Sequence, residues 1–520
     1  MTEPDSENRN NRWIRLLDIS MPSPKLGDNT ADADRLVKYI KKTTFGNDVT
    51  VPFSLVKRLP SFLREYKYRC RAALYCVKGS WRIIDVYPPV GEMHLYAVAI
   101  DLGSSTVVVR IIDIISGANL DEVSFINPQH EIGSDILTRI HFASDNNGVA
   151  RLQEMLIKEI NGEITAFQGR LNIKRSEIVG LAAAGNTAMT HFFLGLNPFW
   201  ICREPYIPVI NTPDIISPSD IGIEINPEAP VVVMPGAGSY LGGDVIAGVL
   251  ASGMNKRSGA CLLVDVGTNA EVVLGNNEWL IACAGAAGPA LEGGVAAMGM
   301  MAGPGAIDKV VIDRSTRDIN FNTIGGIPAA GICGSGLIDL AAQLFLSGMI
   351  DLRGRFDEKV CSGRLVEIDG VKNLIVARAP ETKNGKDLYL SQTDINALIR
   401  SKAAMYTILN TITGMANINI NEIDRFFIAG TFGAYIDPIS AISLGMIPDL
   451  PPDKYVSVGN TSIEGVSMAL LSSESLKEIY KIRDMITYIE LNVNQEFMIN
   501  FSAAKFIPHT DTSLFPSVKK

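Results

Sequence analysis

The apolar residues of this chain fall into two alternating patterns: short blocks closed by Gly, Pro or Asn, and longer stretches with an apolar residue every third or fourth position. The first pattern predicts strands and the second helices. After a polar opening, the stretch from Leu16 to Pro24 reads as extended, helical spacing covers 32–42 and 52–66, and strands are expected at 72–77 and 81–86, before Pro88-Pro89. The second helix opens on Pro52, a first-turn residue. Together these elements predict a small α+β module.

From Leu95 the pattern changes. Strands at 96–100 and 107–112 flank a polar turn, helices are expected over 134–142 and 149–167, and a strand at 178–184 runs into Gly185-Asn186-Thr187. The second half repeats the scheme with strands at 260–264 and 271–274, a Gly/Ala-rich stretch at 283–305, a strand-to-helix turn at 331–337, a helix over 394–410 and a strand at 423–427. Strand, Gly-rich polar turn and helix in that order predict an α/β fold with function at the strand ends. Repetition of the scheme predicts an internal duplication. The expected divisions are a polar tail and linker over 1–30, the α+β module over 31–93, a first lobe over 94–259, a second over 260–510 and a C-terminal tail over 511–520.

With 520 residues, 47% hydrophobic and 20% charged, the chain is long enough for several domain-sized units, each with its own core. A net charge of -9 leaves no basic footprint, so nucleic acid is not an expected partner. No apolar run approaches the roughly 18 residues of a membrane-spanning helix. The opening Met1-Thr2-Glu3-Pro4-Asp5-Ser6-Glu7 lacks the layout of a secretion signal, so a cytoplasmic protein with no membrane partner is expected. The seven cysteines (Cys70, Cys76, Cys202, Cys261, Cys283, Cys333 and Cys361) are scattered, as buried thiols are. Cys70 and Cys76 are the one close pair, and no second pair completes a four-thiolate site.

The candidate chemistry lies in two near-copies of one pattern, Ala99-Ile100-Asp101-Leu102-Gly103-Ser104-Ser105-Thr106 and Val264-Asp265-Val266-Gly267-Thr268-Asn269-Ala270-Glu271. Each reads as an apolar strand, a carboxylate, a tight turn and a second strand. Phosphates need hydrogen-bond donors, which Gly103, Ser104, Ser105 and Thr106 supply in one copy and Gly267, Thr268 and Asn269 in the other. Asp101 and Asp265 repel phosphate but suit Mg²⁺ held through water. One copy alone reads sooner as an ordinary Asp-Gly hairpin; two on the same frame make both sides of a phosphate clamp. A third turn, Gly430-Thr431-Phe432-Gly433, allows close backbone approach to a flat ring or its ribose. Gly185-Asn186-Thr187 and Gly334-Ser335-Gly336 read as points of tight helix packing, and His191 as a packed histidine.

In this order, the two Asp-Gly turns and the third Gly turn resemble the actin-like ATPase superfamily of sugar kinases, acetate kinase and heat-shock ATPases. The resemblance implies duplicated actin-like (ribonuclease H-like) lobes around a nucleotide cleft, with ATP and Mg²⁺ as cofactors. Asp244, in Gly242-Gly243-Asp244-Val245, is spaced as in the glycerol- and xylulose-kinase branch, where such an aspartate is the general base. That likeness implies a catalytic set of Asp244, Asp101 and Asp265; a helix N-cap is the equally natural reading of Asp244.

Longer stretches narrow the field. Asn127-Pro128-Gln129 with Gly133-Ser134-Asp135-Ile136-Leu137-Thr138-Arg139-Ile140, Ala184-Gly185-Asn186-Thr187-Ala188-Met189, Ala286-Ala287-Gly288-Pro289-Ala290-Leu291-Glu292-Gly293, Ile332-Cys333-Gly334-Ser335-Gly336-Leu337 and Val458-Gly459-Asn460-Thr461-Ser462 resemble the ATP-dependent reductive activators of corrinoid proteins. Thr431 and Ala270 stand where that family has glycine. The resemblance implies an enzyme that couples ATP binding and hydrolysis to the return of a methyltransferase corrinoid protein from Co(II) to Co(I). Family members carry an N-terminal ferredoxin-like domain or a C-terminal cysteine-rich one, whereas residues 1–13 and everything after Cys361 contain no cysteine. No iron–sulfur cluster is therefore expected in this chain, and a separate ferredoxin-like donor is. The expected partner is the corrinoid protein; a homodimer stays open. Two alternatives remain, an ATP-dependent remodelling factor without a redox role and a small-molecule kinase on the same fold.

Overall fold

The computed structural model describes residues 12–44, 47–145, 147–267, 270–285, 296–430, 436–490 and 495–519. Two compact units emerge, one running to Ala251 and taking in Ser462–Asp484, the other made of Ser252–Thr461 and the chain from Met485 onward.

In the first unit, β1 (Ile14–Ser20), β2 (Val49–Thr50), β3 (Arg69–Val77) and β4 (Ser80–Tyr87) form a sheet in the order β1-β3-β4-β2. Helices α1 (Asp32–Thr43) and α2 (Phe53–Glu65) bury Leu36, Ile40, Leu55, Leu59 and Leu63 in the same core, at the spacing of one helix face. The segment expected only to be extended is thus an edge strand, in register with β3 from Ile14 opposite Tyr75 to Ser20 opposite Arg69.

A second sheet in this unit contains β5 (Tyr96–Leu102), β6 (Thr106–Asp113), β7 (Asn119–Ile126), β8 (Ile178–Gly185) and β9 (Val231–Val233), ordered β7-β6-β5-β8-β9. Strand β8 is buried along its whole length, which is why its sequence is an unbroken apolar run. Helix α3 (Ile136–Ala143) starts where the Asp135 carboxylate accepts the N–H of Thr138 at 2.9 Å. The long α4 (Gly148–Leu171) buries Leu152, Leu156, Ile160, Ile164 and Phe167. Helices α5 (Thr187–Leu194) and α6 (Gly243–Ser252) complete the part needed for the site.

Sequence continuity alone assigns 462–484 to the second lobe, but this segment packs with the first unit. The buried Arg110 guanidinium of β6 donates to Glu464 and Glu122 at 2.7 Å and to Ser467 at 3.1 Å. The Trp13 indole N–H reaches the carbonyls of Ala469 and Leu470 at 3.0 Å.

His191, on α5, is fully buried, with Nδ1 2.7 Å from the Thr187 carbonyl and Nε2 accepting the N–H of Val209 at 3.0 Å. It is a packed histidine, held neutral because Nε2 must accept. Burial pushes its pKa down. The folded state therefore binds this proton less readily than the unfolded chain, so the contribution is whole above the ordinary histidine pKa of about 6.5 and is lost as pH falls below it. Melting of wild type and His191→Gln at about pH 7.5 and about pH 5.5 is expected to show a smaller acid-induced loss in the variant.

The second unit is built on β10 (Cys261–Val266), β11 (Ala270–Gly275), β12 (Leu280–Gly285), β13 (Ala306–Ile312), β14 (Ile319–Thr323), β15 (Gly331–Ile332), β16 (Leu365–Ile368), β17 (Val371–Ala377), β18 (Leu388–Ser391), β19 (Arg425–Ala429), β20 (Tyr455–Gly459) and β21 (Ile486–Tyr488). Its main sheet has the order β20-β19-β10-β11-β12-β21. Antiparallel β12-β11-β10 repeats β7-β6-β5, and parallel β19 and β20 then follow as β8 and β9 do. This shared order is the expected duplication. Two three-stranded sheets, β14-β13-β15 and β16-β17-β18, are additions to it.

Helix α7 (Gly334–Leu346) begins at Gly334-Ser335-Gly336, where a Cβ on Gly336 would lie 2.1 Å from the Ile307 carbonyl oxygen, so the tight-packing reading holds there. Helix α8 (Gln392–Met415) buries Lys402, whose Nζ donates to the carbonyl of Pro508 at 2.7 Å. All seven cysteines are free thiols, and burial pushes Cys70 and Cys283 up to about 12. Among the described residues, no helix is long and apolar enough to cross a membrane.

Candidate nucleotide site

One group of candidate site residues belongs to the first unit. Asp101 is the penultimate residue of β5, opposite Val108 on β6 and Ala184 on β8. Its Oδ1 accepts the Ser462 hydroxyl at 2.8 Å. The turn that follows requires glycine, since a Cβ on Gly103 would lie 2.2 Å from the Thr106 carbonyl oxygen. Asp101, Gly103, Ser104, Ser105 and Thr106 are all partly exposed.

Asp244 is the second residue of α6, and its Oδ1 accepts the N–H of Val245 at 2.9 Å. A Cβ on neighbouring Gly242 would meet the Asn186 Cα and the Gly185 carbonyl oxygen at 2.4 Å and Asp244 Oδ1 at 2.7 Å. Gly185 in turn stands opposite Leu102, the residue after Asp101. The fold thus brings Asp244 to the same end of the β5–β8 pair as Asp101, the carboxyl end at which α/β sheets bind ligands. Asn186 caps α5 by accepting the N–H of Met189 at 2.9 Å, and the Thr187 hydroxyl donates to the Gly238 carbonyl at 2.9 Å. Gly185-Asn186-Thr187 therefore does more than pack a helix, because it holds the loop that leads into Asp244.

A second group of candidate site residues belongs to the second unit. Asp265 is the penultimate residue of β10, as Asp101 is of β5, and stands opposite Glu271 on β11 and Ala429 on β19. That register sets Gly430 against it. Gly430 has φ +81°, and a Cβ there would lie 2.8 Å from Asp265 Oδ1 and 3.1 Å from the Val266 carbonyl oxygen. The structure therefore joins Asp265, Gly267 and Gly430 at one end of this sheet, while Thr268, Asn269, Thr431, Phe432 and Gly433 lie outside the described residues, as does 286–293.

Each unit places a carboxylate beside a glycine that no larger residue can replace. Carboxylate oxygens are the ligands Mg²⁺ favours, and glycine turns leave room for phosphates, so the residues present fit Mg-ATP. Ser462 is the site residue that sequence reasoning did not assign. Its stretch was legible, but a contact across 361 positions leaves no periodic signal.

Comparison with known proteins accounts for the chain almost from end to end. The RACo linker region matches residues 9–92, the RACo middle region residues 96–257, and the C-terminal domain of RACo, the ASKHA domain, residues 259–519. The chain belongs to the RACo family. The linker match covers the α+β module and the middle match the sheet that carries Asp101. Within the family's range, the chain is 31% identical over 478 residues to the corrinoid activation enzyme RamQ of Eubacterium limosum, covering 90% of this chain and 79% of that one. It is 25% identical over 423 residues to a [Co(II) methylated amine-specific corrinoid protein] reductase of Methanosarcina barkeri, covering 76% and 73%. A solved structure of a reductive activator for a corrinoid, iron–sulfur protein superposes with a TM-score of 0.90 at 36% identity, over 100% of this chain and 82% of that one. The fold is accordingly the actin-like one of the ASKHA family.

Proposed function

We propose that this chain uses Mg-ATP to activate a methyltransferase corrinoid protein, returning its cobalt from Co(II) to Co(I) with one electron from a separate iron–sulfur protein. The observation that carries the reading is the ordered match of linker, middle region and ASKHA domain to a family whose named relatives activate or reduce corrinoid proteins. Asp101 in the first unit and Asp265 in the second are the carboxylates that would hold Mg²⁺. The turn at Gly103–Thr106 and, in the second unit, Gly267 suit phosphate oxygens, and Gly430 leaves room for a nucleoside; the sequence assigns Thr268, Asn269, Thr431, Phe432 and Gly433 to the same two roles. Asp244 orients the water that attacks the γ-phosphate, releasing ADP and phosphate. When bound, the metal neutralises charge that develops on the phosphates. The seven cysteines of this sequence form no four-thiolate run, so the cluster that supplies the electron is assigned outside it.

ATP turnover separates this reading from its alternatives. Hydrolysis is expected to rise when a Co(II) corrinoid protein is added, with phosphate released to water. A rate unmoved by the corrinoid protein but raised by a small-molecule acceptor, with that acceptor phosphorylated, makes the chain a kinase and overturns the proposal.

A further inference from the structure

The turn after Asp101 is held from behind by two residues that the ATP reading leaves without a role. Asn127 Nδ2 donates to the Gly103 carbonyl at 3.0 Å, the Asn127 N–H donates to the Ser105 carbonyl at 2.9 Å, and Arg139 Nη1 donates to the Ser104 carbonyl at 2.8 Å. Three successive carbonyls of one turn are thereby occupied. Among the described residues, neither the N–H of Ser104 nor that of Ser105 donates to a protein acceptor, while the N–H of Gly103 faces the Thr106 carbonyl at the end of the β5–β6 ladder. An orphan N–H group is costly unless water or a ligand takes it.

Arg139 is the less ordinary of the two. Its side chain is fully buried, yet it forms no ion pair among the described residues. Nε donates to the Gly133 carbonyl at 2.8 Å, and Nη2 is buried without a hydrogen-bond partner. A Cβ on Gly133 would lie 2.5 Å from Thr138 Cγ2, so the carbonyl that seats Nε depends on glycine at that position. Burial lowers the pKa of the guanidinium to about 10, partly offset by Asp135, which leaves it charged at neutral pH. A buried, unpaired cation is expensive, and a neutral donor could hold the Ser104 carbonyl equally well. A charge kept there has an anion to serve.

We infer that Asn127 and Arg139 are positioning residues of the phosphate turn: they draw its carbonyls back, leave the N–H groups of Ser104 and Ser105 for a nucleotide's phosphate oxygens, and set a buried positive charge behind them. The inference rests on the proposed ATP site and specifies which ligand feature the first unit's part of it reads. It also gives the stretch from Asn127 to Arg139 a purpose: Asn127, Gly133 and Arg139 are its points of contact with, or support for, one turn. Neither side chain touches the reacting atoms.

Titration calorimetry with Mg-ATP, Mg-ADP and adenosine on the whole chain tests this. Arg139→Gln is expected to weaken Mg-ATP binding about tenfold or more, with little change for adenosine. Arg139→Lys, which keeps the charge, is expected to recover part of that loss, and Asn127→Asp, which sets a carboxylate behind the turn, to show the same phosphate-selective defect. Equal loss for Mg-ATP and adenosine, or no loss in any folded variant, reduces both residues to scaffolding and overturns the inference. Wild-type protein that binds no Mg-ATP removes the site reading itself, and this inference with it.

Discussion

Asp265→Ala is expected to lower ATP hydrolysis about 100-fold or more while leaving the fold intact. The magnitude is that of one preorganised electrostatic contact in a phosphoryl-transfer site. The carboxylate sits at the end of β10, where the strand is held by β11 on one side and β19 on the other through backbone bonds that alanine preserves. Steady-state turnover across a Mg²⁺ series, with a thermal melt as the control for folding, reads the effect. Unchanged turnover in a folded variant would mean that the metal lies elsewhere.

Gly103→Ala is expected to damage the first unit's part of the site although it removes no chemical group. The new Cβ would stand 2.2 Å from the Thr106 carbonyl oxygen, a backbone atom within the same tight turn, so the turn itself must open. Overpacking of this kind costs about 1–3 kcal/mol. Displacing the N–H groups aimed at phosphate is expected to weaken Mg-ATP binding about tenfold or more. Calorimetry alongside a denaturation midpoint separates the two effects. Wild-type affinity in a destabilised variant would leave the turn structural and remove it from the site.

The strands and helices that carry the site were legible because their burial follows a local period. The run at 178–184 and the helical spacing over 149–167 each correspond to an observed element, Ile178–Gly185 and Gly148–Leu171. The two Asp-Gly turns were legible as a repeat, and the sheets repeat their strand order around them. Contacts made at long range were not. Nothing in 462–484 marks it as packing with the first unit, because Arg110 and Glu464 meet only after folding. The hairpin of β16 and β17 went unread although its turn carried a signal: Asp369 and Gly370 have φ +49° and +74°, the paired positive values of a two-residue hairpin turn. Short, partly exposed flanking strands blur the alternation that would have drawn notice to it. Arg139 was legible as part of a family-like stretch, but a charged residue on a helix reads as solvent-facing until the structure shows it buried.

ATP is expected to drive reduction of a corrinoid protein's cobalt. Purified protein, Mg-ATP, a low-potential iron–sulfur donor and a Co(II) corrinoid protein, followed by absorbance, test it most directly. Conversion of the Co(II) spectrum to that of Co(I) with ATP, and its failure when ATP is withheld or Asp265→Ala replaces the wild type, is the predicted result. A cobalt centre that stays Co(II) with ATP and every competent donor, or that is reduced equally well without ATP, would show that ATP does not drive the reduction.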